Sequence, residues 1–332
     1  MTYMTSSFLY FHNEKTFAIL MLKRRREEVE GYLSVKEVLE KYIEGCQTKS
    51  QMSIGRMFGK AVMAGVMIAM GASASSVAAH TITDVGLARL AAAVVFPVGL
   101  MMVILLGAEL FTGDCLVAMG SFDGKQKIRS VVRILFIVYL GNFVGATLLA
   151  VLISMSGQLN YSAGVLGAYT IKVAVGKVSI SFTEGIVSGI LCNILVCAAV
   201  LMAMSAKDIT GKLLASFFTI MLFVTAGFEH CVANMYYITA GILAVNNPEY
   251  MELAMSTYGY SMEQLQQLDV MNYFLSNLLP VTIGNIIGGI VFVGAPMFYL
   301  NTNKVLFSKN TLTKEEKKHA IAYTKIPADS TR

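Results

Sequence analysis

The chain has 332 residues, 55% of them hydrophobic and 14% charged, with a formal net charge of +5 and no tryptophan. This balance excludes an ordinary soluble globule, because the apolar residues gather into charge-free runs about as long as a bilayer is thick. The charges cluster between those runs, so the basic excess reflects membrane topology rather than nucleic-acid binding.

Residues 1–49 are expected to form a cytoplasmic N-terminal segment. No secretory signal is expected, since the apolar run 17–22 is too short and follows Glu14-Lys15. A Lys23-Arg-Arg-Arg26 cluster suits a solvated tail or contact with lipid headgroups. Ser34-x-x-Glu37 is a capping box, and Val35, Val38, Leu39, Tyr42 and Ile43 form one helical stripe, with Gly45 suited to the helix end. A short amphipathic helix against the cytoplasmic face follows.

Residues 50–305 hold the membrane domain. Spans are expected near 54–80, 88–107, 130–156, 181–205, 213–248 and 272–302, making an all-α, multi-pass integral membrane protein of six transmembrane helices. The Gly-rich stretch after span 3, from 157, is expected to be an outer loop containing Lys172 and Lys177, and 246–270 a second, acidic outer loop. Lys125, Lys127, Arg129 and Arg133 fall in one connecting loop, Lys207 and Lys212 in another, and more basic residues in the tail 306–332. The positive-inside rule then puts both termini in the cytoplasm of a cell whose inner (plasma) membrane holds the protein.

Two spans are interrupted by acids. Span 5 contains Thr225-Ala-Gly-Phe-Glu-His-Cys-Val-Ala-Asn234, and span 2 contains Gly107-Ala-Glu-Leu-Phe-Thr-Gly-Asp114. An ionisable group at mid-membrane costs about 2.5–3.5 kcal/mol on insertion scales, and irregular backbone there is tolerated only around a cavity or within protein. Helices 2 and 5 are therefore expected to be broken, with Asp114 capping a short helix over 115–119. Span 3 carries Gly141-Asn-Phe-Val-Gly145 and span 6 carries Gly284-Asn-Ile-Ile-Gly288. The order helix, broken helix, Gly-Asn-x-x-Gly helix thus occurs twice. Three spans per copy give two inverted three-helix repeats, with a path at their interface.

Residues 50–305 resemble the formate/nitrite transporter family. The resemblance rests on Gly227-Phe-Glu-His-Cys-Val-Ala-Asn-Met235, Pro280-Val-Thr-Ile-Gly-Asn-Ile-Ile-Gly-Gly289 and Gly107-Ala-Glu-Leu-Phe-Thr112, in order along the chain. It implies an aquaporin-like protomer in a homopentamer, with one pore per protomer. It also implies conduction of small monovalent anions: formate, nitrite or hydrosulfide, and acetate or lactate in some members. By the same resemblance His230 is the central pore histidine, Thr112 the threonine of the helix-2 break, Lys177 the lysine of the outer vestibule and Asn193 a polar pore-lining residue. Phe96, Leu100, Leu110 and Phe223 fall at two apolar constrictions, which would exclude hydrated ions by staying dry. Gly113-Asp114 departs from the family pattern, since an extra acid beside an anion path would repel substrate.

Glu109, Glu229 and Asn234 are expected to support the breaks, the two acids by accepting hydrogen bonds from loosened backbone. Lys177 would concentrate anions at the mouth, with a helix-end snorkelling lysine as its bland counterpart. His230 is the one base deep in the path and would hold or pass a proton. Either the anion takes a proton there and crosses as a neutral weak acid, or an imidazolium compensates it directly; the residues leave both open. A neutral-solute channel of the aquaporin class is the alternative, but its paired Asn-Pro-Ala motifs are absent. The five cysteines show no metal-ligand spacing and there is no nucleotide loop or nucleophile–base motif. Neither metal, cofactor nor enzymatic activity is therefore expected; the expected partners are small anions, protons and membrane lipid.

Overall fold

The computed structural model describes residues 31–302. The Lys23-Arg-Arg-Arg26 cluster and the basic tail lie outside the described residues. Among those described, six helices are long and apolar enough to cross a membrane.

Helix α1 (Val35–Gln51) opens with the predicted capping box: Ser34 N donates to Glu37 Oε2 at 2.8 Å and Glu37 N to Ser34 Oγ at 3.4 Å. Of the expected stripe Val38, Leu39, Tyr42 and Ile43 are buried, joined by Cys46, while Val35 is exposed, and the helix runs on through Gly45. Helix α2 is Ile54–Ala79. Helix α3 (Val85–Leu106) is crossed by a turn at Phe96-Pro97. The short α4 (Phe111–Asp114), a 3-10 turn (Cys115–Val117) and α5 (Ala118–Phe122) follow, then α6 (Ile128–Met155).

The expected outer loop after α6 is instead helical. Helix α7 (Val165–Val178) packs on the second half of span 5. At 1.5 Å per residue its 14 residues reach about 21 Å, too short to span, so it occupies the membrane domain without crossing it. Then come α8 (Phe182–Ser205), α9 (Ile209–Ala226) and α10 (Cys231–Val245). The second expected loop contains α11 (Pro248–Tyr258) and α12 (Met262–Gln266). Helix α13 (Val270–Asn301) closes the domain; its π-helical stretches Tyr273–Leu278 and Gly288–Gly294 each end shortly before a proline, Pro280 and Pro296. A proline ring crowds the carbonyl four residues back, and widening the turn relieves that contact.

Small residues set the closest crossings. A Cβ on Gly145 of α6 would lie 2.1 Å from Val62 O of α2, and one on Gly284 of α13 would lie 2.2 Å from Ile186 O of α8. In lipid such backbone approach replaces the hydrophobic drive between helices. The α2–α6 pair and the α8–α13 pair flank the two interruptions, which therefore sit in matching surroundings.

Candidate functional site

Both interruptions are built alike. Helix α3 ends at Gly107 with φ +65° and α9 at Gly227 with φ +75°, left-handed values that favour glycine. Three residues later the chain restarts as a helix from an extended residue, Leu110 (φ −112°, ψ 123°) or His230 (φ −112°, ψ 111°). The motif asparagines tie each restart. Phe111 N donates to Asn142 Oδ1 at 2.9 Å, while Asn142 Nδ2 donates to Ala61 O at 2.8 Å and Glu109 O at 2.9 Å. Cys231 N donates to Asn285 Oδ1 at 3.0 Å, while Asn285 Nδ2 donates to Gly189 O at 2.8 Å and Glu229 O at 3.0 Å. Both asparagines are fully buried. A backbone without its helical partners is stable at this depth only when each group is paired, and one amide on a neighbouring helix pairs several.

This corrects the role expected of the two acids. Glu109 and Glu229 meet cations, not loosened backbone. Glu109 Oε2 lies 2.6 Å from Lys49 Nζ, and Oε1 lies 3.8 Å from Lys60 Nζ. Glu229 Oε1 accepts from Lys177 Nζ at 2.7 Å and Oε2 from Asn234 Nδ2 at 2.6 Å. Asn277, in the first π-helical stretch, accepts from Asn234 Nδ2 at 2.8 Å and donates to Lys177 O at 2.8 Å. Lys177 therefore enters the site as half of an ion pair.

Asp114 is not the cap of a short helix. The helix begins earlier, at Phe111, and the Asp114 carboxylate is buried against Lys49 Nζ. Tyr42 OH also donates to Gly113 O at 3.2 Å, so α1 reaches the first break at two points. Burial disfavours the Lys49 charge, but Asp114 and Glu109 outweigh it and lift its pKa above that of an ordinary lysine. The departure at Asp114 is thus matched by a cation from α1.

Two cavities approach the breaks from opposite directions and share no lining residue. One, of about 320 Å³, lies under α1 and is bordered by Lys49, Lys60, Leu100, Leu110 and Asp114. The other, also of about 320 Å³, is bordered by Arg89, Phe96, Lys172, Lys177, Phe223 and His230. The Phe96 and Phe223 rings meet edge to face with centroids 5.6 Å apart, and Phe223 stacks on the His230 ring at 5.9 Å. Leu100 and Leu110 are buried on the α1 side.

Between the cavities the breaks touch. His230 Nε2 lies 3.0 Å from Thr112 Oγ1. The His230 Nδ1 atom caps α10 by accepting from Ala233 N at 3.1 Å. An acceptor Nδ1 carries no hydrogen, so the neutral ring bears its proton on Nε2 and donates it to the Thr112 hydroxyl. Asn193 borders neither cavity; its Nδ2 donates to Thr112 O at 3.1 Å and to Asn285 O at 2.6 Å, tying the first break to α13 from α8. Sequence reasoning placed Thr112, His230, Asn193, Glu229 and Asn234 in this neighbourhood. It missed Lys49, Asn277 and the tying role of Asn142 and Asn285, whose only sequence signal is the repeated Gly-Asn-x-x-Gly pattern.

The chain is similar to known membrane proteins over most of its length. A family model described as "Formate/nitrite transporter" matches residues 36–299. A "Formate channel FocA" of Haemophilus influenzae is 39% identical over 217 residues, 65% of this chain and 75% of that protein. A "Formate channel FocA" of Escherichia coli K12 is 35% identical over 255 residues, 75% of this chain and 88% of that protein. A solved "Pentameric formate channel with formate bound" superposes with a TM-score of 0.65 at 31% identity, covering 73% of this chain and 95% of its own.

Proposed function

We propose a formate channel on one premise: the chain belongs to the formate/nitrite transporter family. It is a multi-pass membrane protein and a formate/nitrite-type anion channel. Formate as the principal cargo is supported by relatives that are named formate channels; nitrite and hydrosulfide are the next candidates for the same path. A homopentamer with one path per protomer accords with the pentameric relative. We place the protein in the inner (plasma) membrane with both termini and the α1-side cavity cytoplasmic, on the distribution of lysine and arginine between loops. Residues 50–305 are taken as the channel domain, with no enzymatic activity.

The observation that carries the mechanism is the Thr112–His230 contact, set between two cavities and beside paired apolar rings. A bare anion leaving water for an apolar constriction loses its hydration without compensation. An anion arriving at the waist draws a second proton onto His230, because a nearby negative charge favours imidazolium. Nδ1 takes that proton from water in the adjoining cavity and gives up its contact with Ala233 N. The imidazolium then passes its Nε2 proton to a carboxylate oxygen: one N–H bond breaks, one O–H bond forms, and neutral formic acid crosses. The ring is left as the Nδ1–H tautomer. It resets when Nε2 takes a proton from water, the resulting imidazolium gives its Nδ1 proton to water, and Nδ1 recaptures Ala233 N. Thr112, facing Nε2, orients the ring and offers its own hydroxyl to the anion. The two ion pairs, Lys177–Glu229 and Lys49–Glu109–Asp114, place cations on both approaches without leaving the acids bare.

Uptake of formate, nitrite, hydrosulfide and chloride into proteoliposomes across a pH series tests this. Formate should enter fastest and accelerate as external pH falls, while chloride, which is not usefully protonated, should enter slowly. Chloride uptake equal to formate, or a flat formate profile, would contradict the protonation route.

A further inference from the structure

The cavity bordered by His230 also holds three cations: Arg89 of α3 and Lys172 and Lys177 of α7. Each is held differently. Lys177 is neutralised by Glu229 at 2.7 Å and faces the Tyr237 ring at 5.8 Å. Lys172 rests between two aromatic rings, 4.7 Å from the Tyr258 centroid and 5.5 Å from that of Tyr169. Arg89 is exposed, and among the described residues no carboxylate pairs with it. Its guanidinium lies over the second break: a Cβ built on Gly227 would fall 2.5 Å from Arg89 Nη1. Gly227, left-handed at φ +75°, therefore gives room to the arginine as well as turning the chain.

Resting on the anion-channel reading above, we infer that Arg89 is the group on which a small carboxylate first exchanges water for protein in this cavity. A guanidinium presents a planar pair of N–H donors that matches the two oxygens of a carboxylate, which an ammonium does not. Of the other two cations, Lys177 is neutralised by an acid, and Lys172, exposed against its aromatic rings, keeps its charge but lacks the fork. Arg89 shares a cavity wall with His230, so an anion released from it enters the space that ends at the Thr112–His230 contact. The end of α9 beside it carries only the partial negative charge of its last carbonyls, which positions the guanidinium without neutralising it.

Arg89→Gln removes the charge and keeps a hydrogen-bonding amide; Arg89→Lys keeps the charge and removes the fork. A unit charge about 4 Å from the anion in water, the separation in a guanidinium–carboxylate contact, raises its local concentration about sixfold. Arg89→Gln should therefore take up formate about fivefold more slowly near 10 mM ionic strength, where the screening length is about 30 Å, and approach the wild type near 1 M, where it is about 3 Å. Arg89→Lys should recover most of the low-salt rate but lose formate relative to hydrosulfide, which has no pair of oxygens. A second readout is independent of flux: phenylglyoxal modification at Arg89, followed by peptide mass spectrometry, should slow in millimolar formate. Loss of uptake by Arg89→Gln equal at both salt levels, with a lowered melting temperature, would make Arg89 a cap of α9 and overturn the inference. So would unchanged uptake in Arg89→Gln together with no protection by formate. A wild type that is protected by formate but does not conduct it would overturn the channel reading and leave the Arg89 site standing.

Discussion

Replacing Asn285 by alanine tests what holds the second break. Its side chain makes three hydrogen bonds, to Cys231 N at 3.0 Å, Gly189 O at 2.8 Å and Glu229 O at 3.0 Å, and is fully buried. Each buried polar group left without a partner costs about 1–3 kcal/mol. Cys231 N and Glu229 O flank the restart of the helix, and Gly189 O, on a helix, loses the least. A total of about 3–5 kcal/mol follows, a large share of the roughly 5–15 kcal/mol that stabilises a typical domain. At about 2–4 °C per kcal/mol, the melting temperature in detergent should fall by roughly 6–20 °C. Asn142→Ala removes the same set of bonds at the first break, so the two variants should fall by similar amounts. Ser276→Ala, which loses one bond within the same helix as Asn285, is the control. A shift of less than about 2 °C in Asn285→Ala, equivalent to under 1 kcal/mol, would refute the reasoning.

Lys49→Met leaves Glu109 and Asp114 buried side by side without their shared cation and should destabilise by about 2–4 kcal/mol; adding Asp114→Asn should recover at least half, as read by thermal unfolding. Lys177→Gln leaves the Glu229 carboxylate without its cation beside the proposed anion path and should slow formate uptake at low salt, while Lys177→Gln with Glu229→Gln should restore part of it; no gain in the double variant would mean the pair is not the reason. Burial pushes the Cys46 thiol up to about 11. At pH 8 roughly one molecule in a thousand then carries the reactive thiolate, so alkylation followed by mass should find Cys46 inert in the folded protein and reactive once it is unfolded.

The broken helices were legible because charge inside an apolar run is a local signal: Glu109 and Glu229 each follow a glycine within an otherwise apolar span. The capping box of α1 was legible for the same reason. Helix α7 was not, since Lys172, Lys177 and a Gly-rich lead gave a segment too short to span the look of a loop, and only packing against α10 makes it a helix worth burying. The partners of the acids were also hidden. Lys49 is 60 residues from Glu109 and 65 from Asp114 along the chain, and Lys177 is 52 from Glu229. Spacing along one helix says nothing about such pairs. The asparagines were visible as a repeated motif, but their task depends on which backbone faces them across the α2–α6 and α8–α13 crossings.

The central claim is that His230 handles a proton for the crossing anion, and it is tested by uptake of formate and chloride from acid to neutral pH by the wild type, His230→Phe and His230→Asn at matched protein level. His230→Phe keeps the ring bulk beside Phe223 but removes both nitrogens. Its formate uptake should stop or lose its pH dependence. His230→Asn keeps a polar group near Thr112 without a titrating base, so some permeation should remain with an altered pH profile. Chloride should stay slow in the wild type throughout. Formate profiles in both variants that overlay the wild type across the whole pH range would contradict the proton role and leave His230 as the cap of α10.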